Sequence, residues 1–142
     1  MYASESLAHI VIRDTLARCT QAGDVRKAEA YAACFTLGGV LDLAAGRIEG
    51  RAAIREWMLA PSVIPSPGGR AAGPVNHHLT TCRIDLTSDV AAKVRTYWLV
   101  ITALGLDHSG YYDDEFQKVG EDWLIAYRRP RTLWKSADSL VG

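Results

Sequence analysis

Two long strands and the turn between them are predicted by the stretch VNHHLTTCRIDLTSDVAAKVRTYWLVITAL, residues 75–104. Both runs are rich in β-branched and aromatic side chains, and Thr87-Ser88-Asp89 separates them as a turn would. Two further runs of this kind follow at residues 109–119 and 123–133, each after a short turn. The spacing predicts a four-stranded antiparallel meander in the second half of the chain.

The first half of the chain is predicted to be mainly helical. Apolar residues recur near the helical period between residues 7 and 20, between 25 and 35, and between 51 and 60. Before the third of these helices, Val40–Leu43 is a short apolar run that predicts a strand, and Gly46–Gly50 predicts a turn. The order α, α, β, α and then four strands is typical of an α+β fold whose helices cover one face of a sheet.

Composition and charge exclude several classes of protein. The chain has 142 residues, which fits a single domain spanning residues 1–142. Its 16 Lys and Arg residues balance 16 Asp and Glu residues, whereas nucleic-acid binders and polybasic membrane proteins carry a basic excess. No apolar run approaches the roughly 20 residues of a membrane span, and the start lacks a signal-peptide pattern. The three scattered cysteines predict free thiols in a reducing compartment, so we expect a cytoplasmic protein without nucleic-acid or membrane partners.

The strand that contains TYWLVITA predicts self-association. Tyr97–Ile101 is apolar at every position, so both faces of this strand carry apolar side chains. Helices can cover one face, and large exposed apolar patches are rare on monomers. We therefore expect a homo-oligomer, a dimer or a trimer, that forms through the outer face of the sheet.

No motif indicates a cofactor or a metal, and none is expected. The chain has no Gly-rich nucleotide loop, no GxSxG nucleophile motif and no HExxH zinc motif. His77 and His78 are adjacent, so on a strand they point to opposite faces and are not expected to share a metal. The segment Pro61–Pro74 is rich in Pro and Gly, which predicts a loop that is a candidate lid.

Five segments of the sequence resemble a known protein family, and together they span nearly the whole chain. They are QAGD (residues 21–24), AYAACFTLGGVLDL (30–43), GRIEGRAAIREW (46–57), HHLTTCRIDL (77–86) and YDDEFQKVGEDWLIAYRR (112–129). In these segments the chain resembles SnoaL-like members of the nuclear-transport-factor-2-like superfamily, and within it scytalone dehydratase and hexachlorocyclohexane dehydrochlorinase. The resemblance implies a cystatin-like α+β roll. In this fold a curved antiparallel or mixed sheet wraps around the N-terminal helices as a cone, with an apolar pocket at one end.

The same resemblance implies a catalytic pair formed by Asp24 and His77. In the family, an Asp after the first helix pairs with a His on a later strand, and these two residues occupy the matching positions. A carboxylate bonded to one imidazole nitrogen fixes the tautomer and makes the other nitrogen a general base. Without the resemblance, Asp24 would be interpreted as the N-cap of the second helix and His77 as an ordinary core or surface histidine.

Substrate-binding side chains are expected on the last two strands. Phe116 is predicted to face the interior, and the alternation of a strand then turns Tyr112 and Asp114 inward as well. The resemblance implies a substrate contact near Tyr112 and favours Arg128 as the arginine that faces inward. A buried carboxylate at Asp114 needs such a partner, because an unpaired one is costly. The alternative for Arg128 is a salt-bridged arginine at the rim of the fold.

Apolar side chains are expected to complete the pocket. Leu41 and Leu43 are predicted to face inward from the first strand, and Trp57 from the third helix. Aromatic residues at helical spacing are, however, more often core than ligand contacts. Leu124 and Ala126 are expected to share the inward face of the last strand with its inward arginine.

These observations predict a cofactor-independent lyase, of the dehydratase or dehydrohalogenase type, that acts on a small cyclic or aromatic substrate. An imidazole base in an apolar pocket can remove a proton next to a leaving group, which eliminates water or halide. Two alternatives remain open. One is a non-catalytic small-molecule-binding or assembly module, like the small subunit of ring-hydroxylating dioxygenases. The other is an isomerase or cyclase that uses the same pair.

Overall fold

The computed structural model describes residues 3–60 and 75–140 and confirms the α+β class. In these ranges the chain forms three helices and six strands. They are, in chain order, α1 (Ala3–Asp24), α2 (Ala28–Ala32), β1 (Phe35–Leu43), β2 (Gly46–Glu49), α3 (Arg51–Leu59), β3 (Asn76–Leu86), β4 (Ala91–Thr102), β5 (Gly105–Val119) and β6 (Asp122–Lys135). The candidate lid at residues 61–74 lies outside the described residues.

A single curved, mixed sheet packs its inner face against the helices. The strand order is β2-β1-β6-β5-β4-β3, so the four strands β3 to β6 form the predicted antiparallel meander. β1 runs parallel to β6 and pairs antiparallel with β2 on its other side. The core lies between α1 and the sheet, where Ile12 and Leu16 belong to one apolar cluster with Phe35, Phe116 and Ile125. The sheet thus wraps around the N-terminal helices, as the resemblance implies.

The helix-to-strand passage differs from the sequence prediction. α2 ends at Ala32 and β1 already begins at Phe35, whereas the helical period suggested a helix to residue 35. The predicted turn at residues 46–50 is largely strand β2, which pairs with β1. Both errors have one cause: the glycines at 38, 39 and 46 give a weak local strand signal, and strand pairing fixes the backbone instead. At Gly39 a Cβ would lie only 3.0 Å from the backbone oxygen of Ile125, so a larger residue would have to push the two strands apart by a few tenths of an ångström.

A β-bulge between β5 and β6 changes which side chains of β6 face the core. Asp114 pairs with Arg128, but two residues further along β5, Phe116 pairs with Ile125 rather than with residue 126. The expectation that Leu124 and Ala126 share the face of the inward arginine is therefore wrong. Ile125 is fully buried and belongs to the main core cluster, because the extra residue of a bulge reverses the alternation beyond it.

The C-terminal turn is fastened to the start of β5 by one buried carboxylate. Asp107 is fully buried and accepts hydrogen bonds from Thr102 Oγ1, Ser139 Oγ and the backbone N–H of Leu140, and it contacts His108 Nδ1 at 2.7 Å. Burial alone would raise the pKa of Asp107, but these hydrogen bonds outweigh it and lower the pKa to about 2. The carboxylate is therefore the charged anchor of residues 136–140.

Asp107→Asn should destabilise the protein by roughly 1–3 kcal/mol at neutral pH, because buried donors lose their acceptor. The folded carboxylate has a pKa of about 2, and an unfolded Asp titrates near 4. The wild-type advantage should therefore be complete above pH 4 and should vanish as the pH falls toward 2. Urea denaturation of both proteins from pH 7 to pH 2 measures this. Asp138→Asn, in the same turn but exposed, is the matched control. A difference that stays constant down to pH 2 would contradict the anchor.

Candidate active site

A cavity of about 190 Å³ lies between the inner face of the sheet and the ends of the three helices. It is lined by Cys19, Thr20, Gly23, Asp24, Arg26, Tyr31, Leu41, Leu43, Trp57, Met58, His77, Trp98, Tyr112, Arg128 and Pro130. An engineered apolar cavity of about 150 Å³ holds benzene. The size therefore suits a ligand built on one substituted ring.

A larger depression of about 340 Å³ lies on the outer face of the sheet. Its walls are mostly charged side chains that pair across strands, among them Arg95 with Asp113 at 2.7 and 2.8 Å. No histidine, cysteine or serine is among the residues that line it. The inner cavity is the candidate active site because its lining includes both members of the expected catalytic pair, Asp24 and His77.

Asp24 and His77 are in direct contact in the wall of the inner cavity. Asp24 Oδ1 lies 2.8 Å from His77 Nδ1, and the same carboxylate accepts the backbone N–H of His77 at 3.1 and 3.2 Å. The Asp24 side chain is 9% exposed and the His77 side chain 31%. Because Nδ1 is held by the carboxylate, Nε2 is the nitrogen that can accept a proton from a ligand.

Asp24 reaches His77 because α1 ends beside the edge of the sheet. β3 is one of the two edge strands, so the His77 N–H that faces outward has no neighbouring strand and binds the carboxylate instead. The N-cap interpretation of Asp24 is wrong. Asp24 is the last residue of α1, whereas α2 begins at Ala28 after Lys27, and no side chain caps it.

Arg128 and Asp114 form a buried ion pair at the cavity. Nε and Nη2 of Arg128 donate to the two carboxylate oxygens, each at 2.9 Å. The two side chains are 2% and 0% exposed, so the interpretation of Arg128 as a rim arginine is wrong. Nη1 donates to Cys19 Sγ at 3.5 Å, and the guanidinium carbon lies 3.9 Å from the ring centroid of Tyr112.

The protonation states of this group follow from burial and from charge. Burial alone would lower the pKa of Arg128, but the Asp114 carboxylate outweighs it and holds that pKa well above its ordinary value. Burial raises the pKa of Tyr112, which keeps its phenol neutral and able to donate a hydrogen bond. The cavity wall thus combines a permanent cation, a phenol and an imidazole.

The structure brings most of the predicted site residues together. Seven of the nine line the cavity, namely Asp24, His77, Tyr112, Arg128, Leu41, Leu43 and Trp57. Asp114 reaches the cavity only through Arg128, and Phe116 lies in the main core, so neither is among the lining residues. His78 is exposed, as expected for the neighbour of an inward-facing residue on a strand.

Eight further residues line the cavity, and for three of them, Cys19, Tyr31 and Arg26, the sequence gives little or no signal. Cys19 and Tyr31 lie on the buried stripes of their helices, where a cavity residue has the same pattern as a core residue. Arg26 follows the end of α1 with a φ of 54°, a conformation that usually belongs to glycine. Its closeness to Asp24 in sequence is the one signal that places it near the site.

Within residues 3–60 and 75–140, no group of three or more His, Cys, Asp or Glu side chains is placed to hold a metal ion. Two ion pairs lie at the cavity, Asp24 with His77 and Asp114 with Arg128. The arrangement can hold a polar ligand group and accept a proton from it.

Fold and cavity together define an α+β cone with an internal ligand-sized space. Residues 4–129 match the SnoaL-like domain family, and the chain belongs to this family. A search of the curated proteins gives no match. In the part of the chain that the structure describes, none of the helices combines the length and the apolarity that crossing a membrane requires.

Solved structures share the fold over almost the full chain. A protein of unknown function from Mycobacterium tuberculosis has 27% sequence identity and a TM-score of 0.78, covering 97% of this chain and 79% of that chain. A protein from Novosphingobium aromaticivorans named as a candidate scytalone dehydratase has 22% identity and a TM-score of 0.79, covering 96% and 91%. LinA has 13% identity and a TM-score of 0.76, covering 95% and 93%. The last two likenesses show a common fold.

Proposed function

We propose that the protein is a cofactor-independent lyase, of the dehydratase or dehydrohalogenase type, that acts on a small cyclic or aromatic substrate. The observation that carries the proposal is the 2.8 Å contact of Asp24 with His77 Nδ1 in the wall of a largely apolar cavity. This contact leaves Nε2 as a base beside a ligand-sized space. The named relatives, a candidate scytalone dehydratase and LinA, support the proposal through the common fold.

The proposed reaction is a base-promoted elimination. His77 Nε2 removes a proton from a ligand carbon, the electron pair forms a double bond, and the leaving group departs from the neighbouring atom. Asp24 fixes the imidazole tautomer and stabilises the imidazolium that forms. Tyr112 and Arg128 hold an oxygen function of the ligand, and Asp114 keeps the guanidinium of Arg128 in place. An isomerase or cyclase would begin with the same proton removal.

The test uses a substrate that reports proton abstraction directly. In 5-nitrobenzisoxazole a base removes the ring C–H proton, the N–O bond breaks, and a coloured cyanophenolate forms. We expect saturable turnover, faster than with free imidazole at the same concentration. Turnover that does not saturate, or that does not exceed free imidazole, would contradict a base poised in the cavity. The variants that assign the base are given in the Discussion.

Assembly through the outer face of the sheet is a separate proposal, because this face carries apolar side chains. We define the outer patch as Tyr97, Leu99, Ile101, Tyr111 and Trp134. Tyr97 and Trp134 are 41% and 48% exposed in the single chain, and the Tyr97 and Tyr111 rings pack edge to face at 6.5 Å. Apolar area of this kind favours a partner surface. The apolar patch also favours the alternative that the domain is a binding or assembly module.

Light scattering at micromolar concentration should give two or three times the mass of one chain. Tyr97→Glu should lower the mass to that of one chain, because a carboxylate is costly to bury in an apolar contact. Val90→Glu, an exposed valine in the turn before β4, should leave the mass unchanged. A wild-type mass of one chain would contradict the proposal.

A further inference from the structure

Arg26 occupies a backbone conformation that normally selects glycine. Among the described residues it is the only non-glycine residue with positive φ, at 54°. Its N–H donates to Gly23 O at 3.1 Å, and the next N–H, of Lys27, donates to Ala22 O at 2.9 Å. These two bonds close the end of α1 in the motif whose left-handed position usually holds glycine. Residues held in a strained backbone conformation cluster at functional sites, so the side chain of Arg26 is a candidate for a functional role.

Arg26 is an exposed residue whose side chain lines the inner cavity. Its Nη2 donates to Met58 O at 2.7 Å and to Ala60 O at 2.6 Å. Both carbonyls belong to the C-terminal end of α3, where backbone oxygens lack helical partners. A guanidinium has five N–H groups, so Nε and Nη1 keep three after these two bonds. The α3 carbonyls therefore fix the group and leave most of its donors for a ligand.

Arg26 is also the cavity cation without a carboxylate partner among the described residues. Arg128 is neutralised by Asp114 through two hydrogen bonds, and the carboxylate of Asp24 is bound to His77. No ion pair in the described ranges includes Arg26. A preorganised guanidinium with free donors is the arrangement that binds a carboxylate or a phenolate oxygen.

We propose that Arg26 binds an anionic oxygen group of the ligand, so that the ligand class is a small ring compound carrying a carboxylate or a phenolate. The aromatic and aliphatic walls, among them Tyr31, Trp57 and Trp98, receive the ring. The inference deepens the proposed lyase function by naming the ligand class of the same cavity. It rests on that function only for the reaction, because ligand binding is measured without turnover.

The test compares benzoate with benzamide, which has the same size and shape but no charge. Calorimetric titration of the wild type should show benzoate binding at least 10-fold more tightly, with a preference that weakens as salt rises. Arg26→Gln should make the two affinities equal while leaving the benzamide affinity unchanged. Arg26→Gly also lacks the guanidinium and suits the left-handed backbone, so it keeps the test valid if the glutamine variant folds poorly. Arg47→Gln, an exposed arginine outside the cavity lining, should retain the preference.

Three results would overturn the assignment. One is a benzoate preference that survives in both Arg26 variants, since Arg128 would then be the anion site. Another is a wild type that binds benzamide as well as benzoate, and the third is the absence of binding by either compound. His77→Ala separates this inference from the proposed reaction. We expect it to lose elimination but to keep the benzoate preference, so either proposal can fail alone.

Discussion

Replacing His77 by alanine should slow the ring opening of 5-nitrobenzisoxazole about 10²–10⁴-fold, the range that a positioned general base contributes. In the proposed reaction the imidazole accepts the proton at Nε2, because Asp24 holds Nδ1 at 2.8 Å. The ring is 31% exposed, so its removal leaves no fully buried void. Steady-state rates at saturating substrate measure the effect, and circular dichroism verifies the fold.

A variant of Asp24 tests whether the carboxylate acts together with the histidine, and a variant of His78 is the control. Asp24→Asn should lose most of the same rate, since an amide can turn its NH₂ group toward Nδ1 and hold the wrong tautomer. His78→Ala is the matched control, because this neighbouring histidine is exposed on the same strand and should keep the wild-type rate. A rate retained in both His77→Ala and Asp24→Asn would rule out the pair as the base.

Asp114→Ala should lower the free energy of unfolding by about 3–5 kcal/mol, the usual effect of leaving a buried charge without its partner. Arg128 is 2% exposed, and Asp114 supplies both oxygens that its Nε and Nη2 bind at 2.9 Å. Removing the carboxylate leaves the buried guanidinium of Arg128 without its charged partner. For a chain of this size the melting temperature should fall by roughly 10–20 °C, as calorimetry measures.

The neighbouring residue offers a matched control for this prediction. Asp113→Ala removes a carboxylate that pairs with Arg95 on the outer face, where both side chains are substantially exposed, and it should destabilise the protein far less. The double variant Asp114→Leu with Arg128→Met should be more stable than Asp114→Ala, because it removes both buried charges. A loss at Asp114 no larger than that at Asp113 would contradict the burial argument.

The alternation of side chains along a single strand predicted which residues of β5 face the cavity side of the sheet. Tyr112 and Asp114 face inward because they lie at even spacing from Phe116, and Arg128 lies opposite Asp114 in the register. The same rule misplaced Leu124 and Ala126, because the bulge inserts one residue that no local pattern indicates. Alternation along a strand predicts which side chains face inward only where the register is unbroken. Pairing with the neighbouring strand decides where the register breaks.

Contacts between distant segments account for the remaining differences. Asp24 was compatible with an N-cap in the local sequence, yet its carboxylate binds a strand more than 50 residues away, at His77. Arg26 is directed into the cavity by carbonyls of α3, which propensity cannot indicate. Strand β2 exists because β1 is present to pair with it. Tertiary contacts therefore decided the details that the sequence left open.

The carboxylate of Asp24 binds two groups of one residue, the backbone N–H and the ring of His77. If the last turn of α1 detached from the sheet edge, it would release both groups at once. The protection of the His77 N–H and the orientation of the proposed base therefore depend on the same contact. Amide hydrogen exchange at His77 then reports, without any substrate, the fraction of molecules in which the proposed base has lost its carboxylate partner.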